Sequence, residues 1–117
     1  MEKKLTLVGG TPTVKPERMK ETYFIGHWSP SGKLKYVKIG VTGVGGSRRR
    51  LRTLQTGNPE LLTLMGVYRG DVERKLHRMF DKTRLHKKTE FFRPTKALLA
   101  LIKNLAQVSK MLEVLDG

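Results

Sequence analysis

Residues 22–57 read TYFIGHWSPSGKLKYVKIGVTGVGGSRRRLRTLQTG, and this stretch decides the fold. Two runs rich in aromatic and β-branched residues, 23–26 and 36–41, predict two strands. The Pro and Gly of residues 29–32 favour a tight turn between them, so the strands form an antiparallel hairpin. A glycine-rich loop then leads to residues 47–55, where Ser47 can cap a helix that begins with arginines.

The two strands of the hairpin each have a core face and a second face. Side chains alternate along a strand, so Val37, Ile39 and Val41 share an apolar face of the second strand. Lys38 points away from that face, towards a groove. In the first strand, the same alternation places Tyr23 and Ile25 on one face and Phe24 on the other.

The second half of the chain continues with a strand, two helices and a short return. Residues 60–68 are apolar and predict a central third strand, with a short buried helix as the alternative. Asp71 is a predicted N-cap for a second helix. Residues 90–92 predict a short strand or an anchor on the sheet, and Pro94 suits the first turn of a third helix. The second helix has a predicted buried stripe, which comprises Val72, Leu76, Met79 and Phe80.

The predicted fold class is α/β (α+β), with a small three-stranded, mainly antiparallel sheet flanked by helices. We divide the chain into an N-terminal arm at residues 1–20, a domain at residues 21–93 and a C-terminal helix at residues 94–117. The apolar stripe of this helix extends beyond what one small sheet can cover. It therefore predicts a protein partner or a homodimer contact.

The charge of the chain points to polyanions. The formal net charge is +14, and residues 33–96 contain 17 Lys and Arg against 5 Asp and Glu. Such a field concentrates nucleic acid at a surface, so we favour nucleic-acid binding over ribosomal or lipid association. The partner is DNA or RNA, which the charge alone does not distinguish. No apolar run is long enough for a membrane span. The absence of cysteine excludes disulfides and thiolate metal sites and is typical of a cytoplasmic protein.

Three motifs occur in order: KIG-x-T at 38–42, RRL-x-x-LQTGNP at 49–59 and E-x-x-LH-x-x-F at 73–80. Together with the hairpin they resemble the GIY-YIG nuclease superfamily, and most of all its T5orf172 or Mug113-like branch from phage and bacterial genomes. The resemblance covers residues 21–93. It implies a bacterial or phage-encoded endonuclease that cleaves DNA phosphodiesters with one Mg²⁺ or Mn²⁺.

The resemblance also implies the site residues. By spacing alone, Glu73 and His77 are simply neighbours on one helix face. The resemblance makes Glu73 the metal ligand and His77 a site residue, with a structural His as the alternative. Tyr23 matches the tyrosine that assists the attacking water, although Glu-Thr precedes it instead of Gly-Ile. Lys38 replaces the tyrosine of the second motif, and Arg50 matches the arginine that steadies the scissile phosphate.

Other residues are predicted to bind rather than to react. The family's late asparagine falls in the region of Glu90, which either substitutes for it in part or is structural. A non-catalytic nucleic-acid-binding module and a protein-interaction factor stay open as alternative functions. The cations that we predict to contact the nucleic-acid backbone are Lys33, Lys35, Arg48, Arg49, Arg52, Lys87 and Lys88.

Overall fold

The computed structural model describes residues 6–8, 11–13, 19–86 and 89–116, with side chains described for 19–86 and 89–111. Lys87, Lys88 and most of the predicted arm at residues 1–20 lie outside the described residues. The elements are β1 (Thr6–Val8), β2 (Thr11–Thr13), β3 (Lys20–Trp28), β4 (Leu34–Gly43), α1 (Ser47–Gln55), β5 (Leu61–Arg69), α2 (Glu73–Met79), β6 (Phe91–Phe92) and α3 (Lys96–Asp116).

The main sheet is antiparallel, with the strand order β5-β3-β4-β6. The predicted hairpin is confirmed as β3 and β4, which occupy its centre. The prediction of three strands is wrong, because β6 adds a fourth strand against Val37 and Lys38. The short strand or anchor predicted at residues 90–92 is present as this strand, which the three-stranded count had left out. The strand predicted at residues 60–68 is confirmed as β5, although it lies at an edge of the sheet and not in its centre. β1 and β2 form a separate two-stranded pair.

Helices cover both faces of the main sheet. On one face, Phe24 and Ile39 are fully buried against Leu76 of α2 and Leu98 of α3. On the other, Tyr23 and its neighbours on β3 and β5 are packed against the two leucines of α1. Each face therefore has its own apolar cluster, as the alternating pattern of the hairpin requires.

The N-terminus of α1 is held by Glu21 of β3. Its carboxylate accepts hydrogen bonds from the backbone N–H groups of Gly45, at 3.0 Å, and Ser47, at 3.1 Å. The Ser47 hydroxyl donates a further hydrogen bond to the same carboxylate. Ser47 was the predicted cap, but it is instead the first residue of the helix. The N-cap residue is Gly46, which has no side chain to make a capping bond. A buried carboxylate from the neighbouring strand thus replaces the local cap and fixes the direction of α1.

We expect Glu21→Gln to lower the free energy of unfolding by about 2 kcal/mol, because a charge-assisted acceptor becomes an amide that aims a donor at another donor. Urea unfolding followed by circular dichroism measures the change. Asp81→Asn removes a carboxylate that is 70% exposed and should stay within about 0.5 kcal/mol of the parent. Equal stability of the Glu21→Gln variant and the parent would contradict the role of Glu21.

The second helix begins one residue after the predicted position, and the third begins two residues after Pro94. α2 begins at Glu73, and Asp71 accepts a hydrogen bond from the Glu73 N–H at 3.3 Å from a position before the N-cap. Met79 is 60% exposed, so its place in the predicted buried stripe is wrong. Positions 72, 76 and 80, each four residues apart, form the stripe that packs against the core. α3 starts at Lys96, after Pro94.

The predicted apolar stripe on α3 is present in part. Ile102 and Leu98 are buried against the sheet, whereas Val108 and Met111 are exposed. The side chains of Leu112 and Leu115 lie beyond residue 111, the last whose side chain is described. A partner or a second copy on this helix therefore stays a prediction. In the described part of the chain, no helix combines the length and the apolar character that a membrane span requires.

Candidate active site

The candidate site lies at the edge of β4, where the short strand β6 ends. On β4, β6 pairs with residues 37 and 38, and α2 packs beside the following part of β4. The Ile39 N–H donates to the Glu90 carbonyl at 2.9 Å, and the Ile39 carbonyl is 3.1 Å from His77 Nε2. One edge residue therefore connects the chain around Glu90 to α2. This connection brings together acidic residues that are 17 positions apart in the sequence.

Tyr23 approaches this edge across a glycine. Tyr23 and Gly40 are cross-strand partners, and a Cβ atom on residue 40 would lie 2.3 Å from the Tyr23 hydroxyl oxygen. Only glycine therefore leaves room for the phenol in this position. Burial raises the pKa of Tyr23, the negative charge of Glu90 raises it further, and Arg50 partly opposes the shift. At neutral pH the phenol therefore keeps its proton and is able to donate a hydrogen bond.

Glu73 and Glu90 form a carboxylate pair. Burial is the largest cause that raises the pKa of Glu73, the nearby charge of Glu90 raises it further, and the charge of His77 opposes the shift. Lys38 Nζ forms an ion pair with Glu90 Oε1, and the Lys38 side chain is only 14% exposed. The lysine predicted to face an open groove therefore lies within the site and neutralises one of its two carboxylates.

The donor set of this pair fits a hard divalent cation. Two adjacent carboxylates offer oxygen ligands, and a cation beside them would oppose the causes that raise the pKa of Glu73. Within residues 19–86 and 89–111, no group of three or more His, Cys, Asp or Glu side chains is arranged to hold a metal. Mg²⁺ suits such a sparse site, since it commonly binds one or two carboxylates, keeps several waters and takes oxygens from substrate phosphates.

His77 has a structural contact as well as a place beside Glu73. Its Nε2 atom faces the Ile39 carbonyl, and its ring is 5.1 Å from that of Phe92, centroid to centroid. Positive charge on His77 would lower the pKa of Glu73, which places the two side chains close together. The geometry assigns Nε2 to the backbone and leaves Nδ1 as the nitrogen without that contact.

The predicted phosphate-binding cations have different surroundings. Arg50 is exposed on α1, and it is the arginine whose charge acts on Tyr23. Arg48, Arg49 and Arg52 are also exposed. Lys35 instead donates to Glu60 Oε2, so part of its charge is used within the fold. Lys33 is exposed in the hairpin turn, and the two remaining predictions, Lys87 and Lys88, fall in the gap at 87–88.

The LQTGNP motif builds the turn between α1 and β5. Gln55 Nε2 donates to the Glu60 carbonyl at 2.8 Å, and Gln55 Oε1 accepts from the Leu62 N–H at 2.9 Å. Asn58 Oδ1 accepts from the Glu60 N–H at 2.9 Å. These bonds hold Glu60 3.1 Å from the Tyr36 hydroxyl, beside the buried ring of His27. The motif therefore has a structural function at the end of the sheet away from Glu73.

Sequence reasoning missed Glu90 as a member of the site and left it as a partial substitute or a structural residue. Its local sequence carries no catalytic signal, because one carboxylate before two phenylalanines also suits a strand end. The chain reversal after α2 brings Glu90 to Lys38 and Glu73. The acidic pair is thus a product of the tertiary fold.

Comparison with family models identifies one matching domain. A model described as the T5orf172 domain matches residues 17–115 and so extends past the motifs into α3. No curated protein and no solved structure matches the chain. The T5orf172 domain is associated with GIY-YIG-like nucleases and indicates a nuclease-like or DNA-binding module. Since the match covers most of its length, the chain belongs to the T5orf172 domain family.

Proposed function

We propose that this protein is a metal-dependent endonuclease that hydrolyses DNA phosphodiester bonds by a one-metal mechanism. The observation that supports it most is the convergence of a buried phenol, a carboxylate pair and an arginine at one edge of the sheet. The groups come from separate parts of the chain, Tyr23 from β3, Arg50 from α1, Glu73 from α2 and Glu90 from the turn before β6. Phosphoryl transfer requires such a combination of anchored charge and orientation.

In this proposal, Glu73 holds one Mg²⁺ or Mn²⁺, with Glu90 beside it. Such a cation, when bound, would neutralise charge on the phosphoryl oxygens and lower the pKa of the attacking water. Arg50 contacts the non-bridging oxygens with its planar fork of donors and stabilises the charge that develops there. Tyr23 donates a hydrogen bond that orients the attacking water in line with the leaving oxygen. Lys38 adds a positive charge beside the phosphate, and His77 positions Glu73.

The test is metal removal. Purified protein is incubated with supercoiled plasmid at about 50 mM salt, where electrostatic binding is strong, with Mg²⁺, with Mn²⁺ or with excess EDTA. We expect nicked and then linear DNA with either metal and intact plasmid in EDTA, and restored nicking when metal is added back. Nicking that continues unchanged in EDTA would contradict the metal requirement.

A non-catalytic nucleic-acid-binding module is the second candidate. It is favoured by the ion pair that engages Lys38 with Glu90 and by the raised pKa of Tyr23, which keeps the phenol protonated at neutral pH and unable to accept a proton. This alternative predicts that the protein retards plasmid on a gel in every condition and never nicks it. The same plasmid experiment therefore decides between the two functions.

A further inference from the structure

A cleft of about 480 Å³ opens beside the candidate site, on the side of α2. Glu73 is part of its wall, so the cleft is continuous with the carboxylate pair. Val41 and Asp71 also contribute to it. The other lining residues are the cations Lys20, Arg74, Lys75 and Arg78. None of them belongs to the set that the sequence motifs indicated for nucleic-acid contact.

These cations are available to a ligand. In the described ranges, no ion pair involves any of the four, whereas Lys35 and Lys38 are engaged by Glu60 and Glu90. The three on α2 are exposed, and Lys20 is half-buried at the start of β3. A cation without a carboxylate partner keeps its full charge for a phosphate.

The helix spacing orients the cations along the cleft. Arg74 and Arg78 are four residues apart and hence neighbours on one helix face, and Lys75 lies between them in the sequence. Leu76, on the opposite side of α2, is buried in the core. The cationic side of the short helix is therefore held in a fixed direction by the packing of its apolar side.

The carboxylates of the site repel a polyanion such as DNA, and a basic surface nearby offsets this repulsion. Glu73 and Glu90 would repel a phosphate close to them, and Arg50 is the α1 arginine whose charge reaches Tyr23. A backbone that continues past Glu73 enters the α2 cleft, where four cations outnumber the two acidic residues, Asp71 and Glu73. A concave region with a net positive charge concentrates polyanions at the surface.

We propose that Lys20, Arg74, Lys75 and Arg78 form a second phosphate-binding surface that holds the DNA backbone beyond Glu73, with the α1 arginines as the first. This inference rests on the proposed function for its substrate. It adds that the scissile phosphate is held between two basic surfaces, so that substrate must extend in both directions from the cleaved bond.

The experiment measures binding without catalysis. Fluorescence anisotropy follows a labelled DNA duplex in EDTA across about 50–200 mM KCl, with the parent and with Arg74→Gln/Lys75→Gln/Arg78→Gln. Each phosphate contact contributes about 0.9 to the slope of log K against log salt, so we expect the triple variant to lose a slope of about 2 to 3. Glutamine has a helix propensity close to that of the cations, so α2 should stay folded.

The matched control is Lys96→Gln/Lys103→Gln/Lys110→Gln, which removes the same three charges from exposed positions on α3. Its slope should stay within about 0.5 of the parent, since loss of a general field alone removes no phosphate contact. Equal slopes for the two triple variants would overturn the α2 surface. Because the assay lacks metal, a parent that binds DNA but never nicks plasmid contradicts the endonuclease and leaves the binding result to decide on the surface.

Discussion

Replacement of Glu73 by glutamine is expected to lower the rate of DNA cleavage by at least about 10³-fold. The change keeps the shape of the side chain and removes the charge that would hold the cation. Charge stabilisation by one such centre is worth several kcal/mol, and each 1.36 kcal/mol is a factor of ten in rate. Single-turnover cleavage of a labelled duplex with excess enzyme measures the chemical step directly.

Binding should respond in the opposite direction. Glu73 lines the cationic α2 cleft, so the loss of its negative charge removes a repulsion that acts on phosphate. We therefore expect the glutamine variant to bind duplex DNA in EDTA at least as tightly as the parent. This result would separate a loss of chemistry from a loss of folding, because an unfolded variant would lose both.

A second carboxylate provides the control for Glu73. Glu60 is also close to a lysine and a tyrosine, but its partners Lys35 and Tyr36 belong to the opposite end of the sheet. Glu60→Gln changes the net charge by the same amount and should cleave within about threefold of the parent. Normal metal-dependent cleavage by the Glu73→Gln variant would contradict the assignment of the metal ligand.

Local patterns in the sequence are enough to predict the hairpin at the centre of this fold. The alternation in the hairpin predicts a core face of Val37, Ile39 and Val41, of which the first two are fully buried and Val41 is half-buried. The glycine of the KIG motif has a direct physical reason in the phenol of Tyr23, which occupies the space of a side chain at position 40. Such features depend on neighbours in one hairpin, and short-range pattern is enough to predict them.

Contacts between distant parts of the chain could not be predicted in the same way. The cap of α1 comes from Glu21, 26 residues before the helix, although Ser47 offered a plausible local cap. Glu90 joins Glu73 only because the chain returns to β4 after α2. A prediction from composition treats all lysines alike. The tertiary structure, however, places Glu60 beside Lys35 and Glu90 beside Lys38, so that both lysines form ion pairs within the protein. The role of each charge is therefore decided by packing.

Arg50→Ala is expected to lower kcat for DNA cleavage by about 10²–10³-fold, the usual cost of removing one group that stabilises charge in a transition state. The four arginines of α1 are all exposed and look equivalent in the sequence. Arg50 differs because its charge acts on Tyr23 and so reaches the candidate site. Steady-state kinetics on a short duplex at fixed salt separate kcat from KM.

Arg52→Ala, in the same helix, tests whether Arg50 acts by position or by charge alone. Arg52 is a predicted backbone contact, so its loss should raise KM and reduce the salt slope by about 0.9 while kcat falls by no more than about threefold. Arg50→Lys keeps the charge but not the planar fork, and it should recover only part of kcat, because an ammonium cannot bind two phosphate oxygens in the same geometry. If the Arg50→Ala and Arg52→Ala variants instead showed the same rise in KM and the same kcat, α1 would be a general phosphate-binding helix. The charge that acts on the scissile phosphate would then have to come from Lys38, which is already at the site through its ion pair with Glu90.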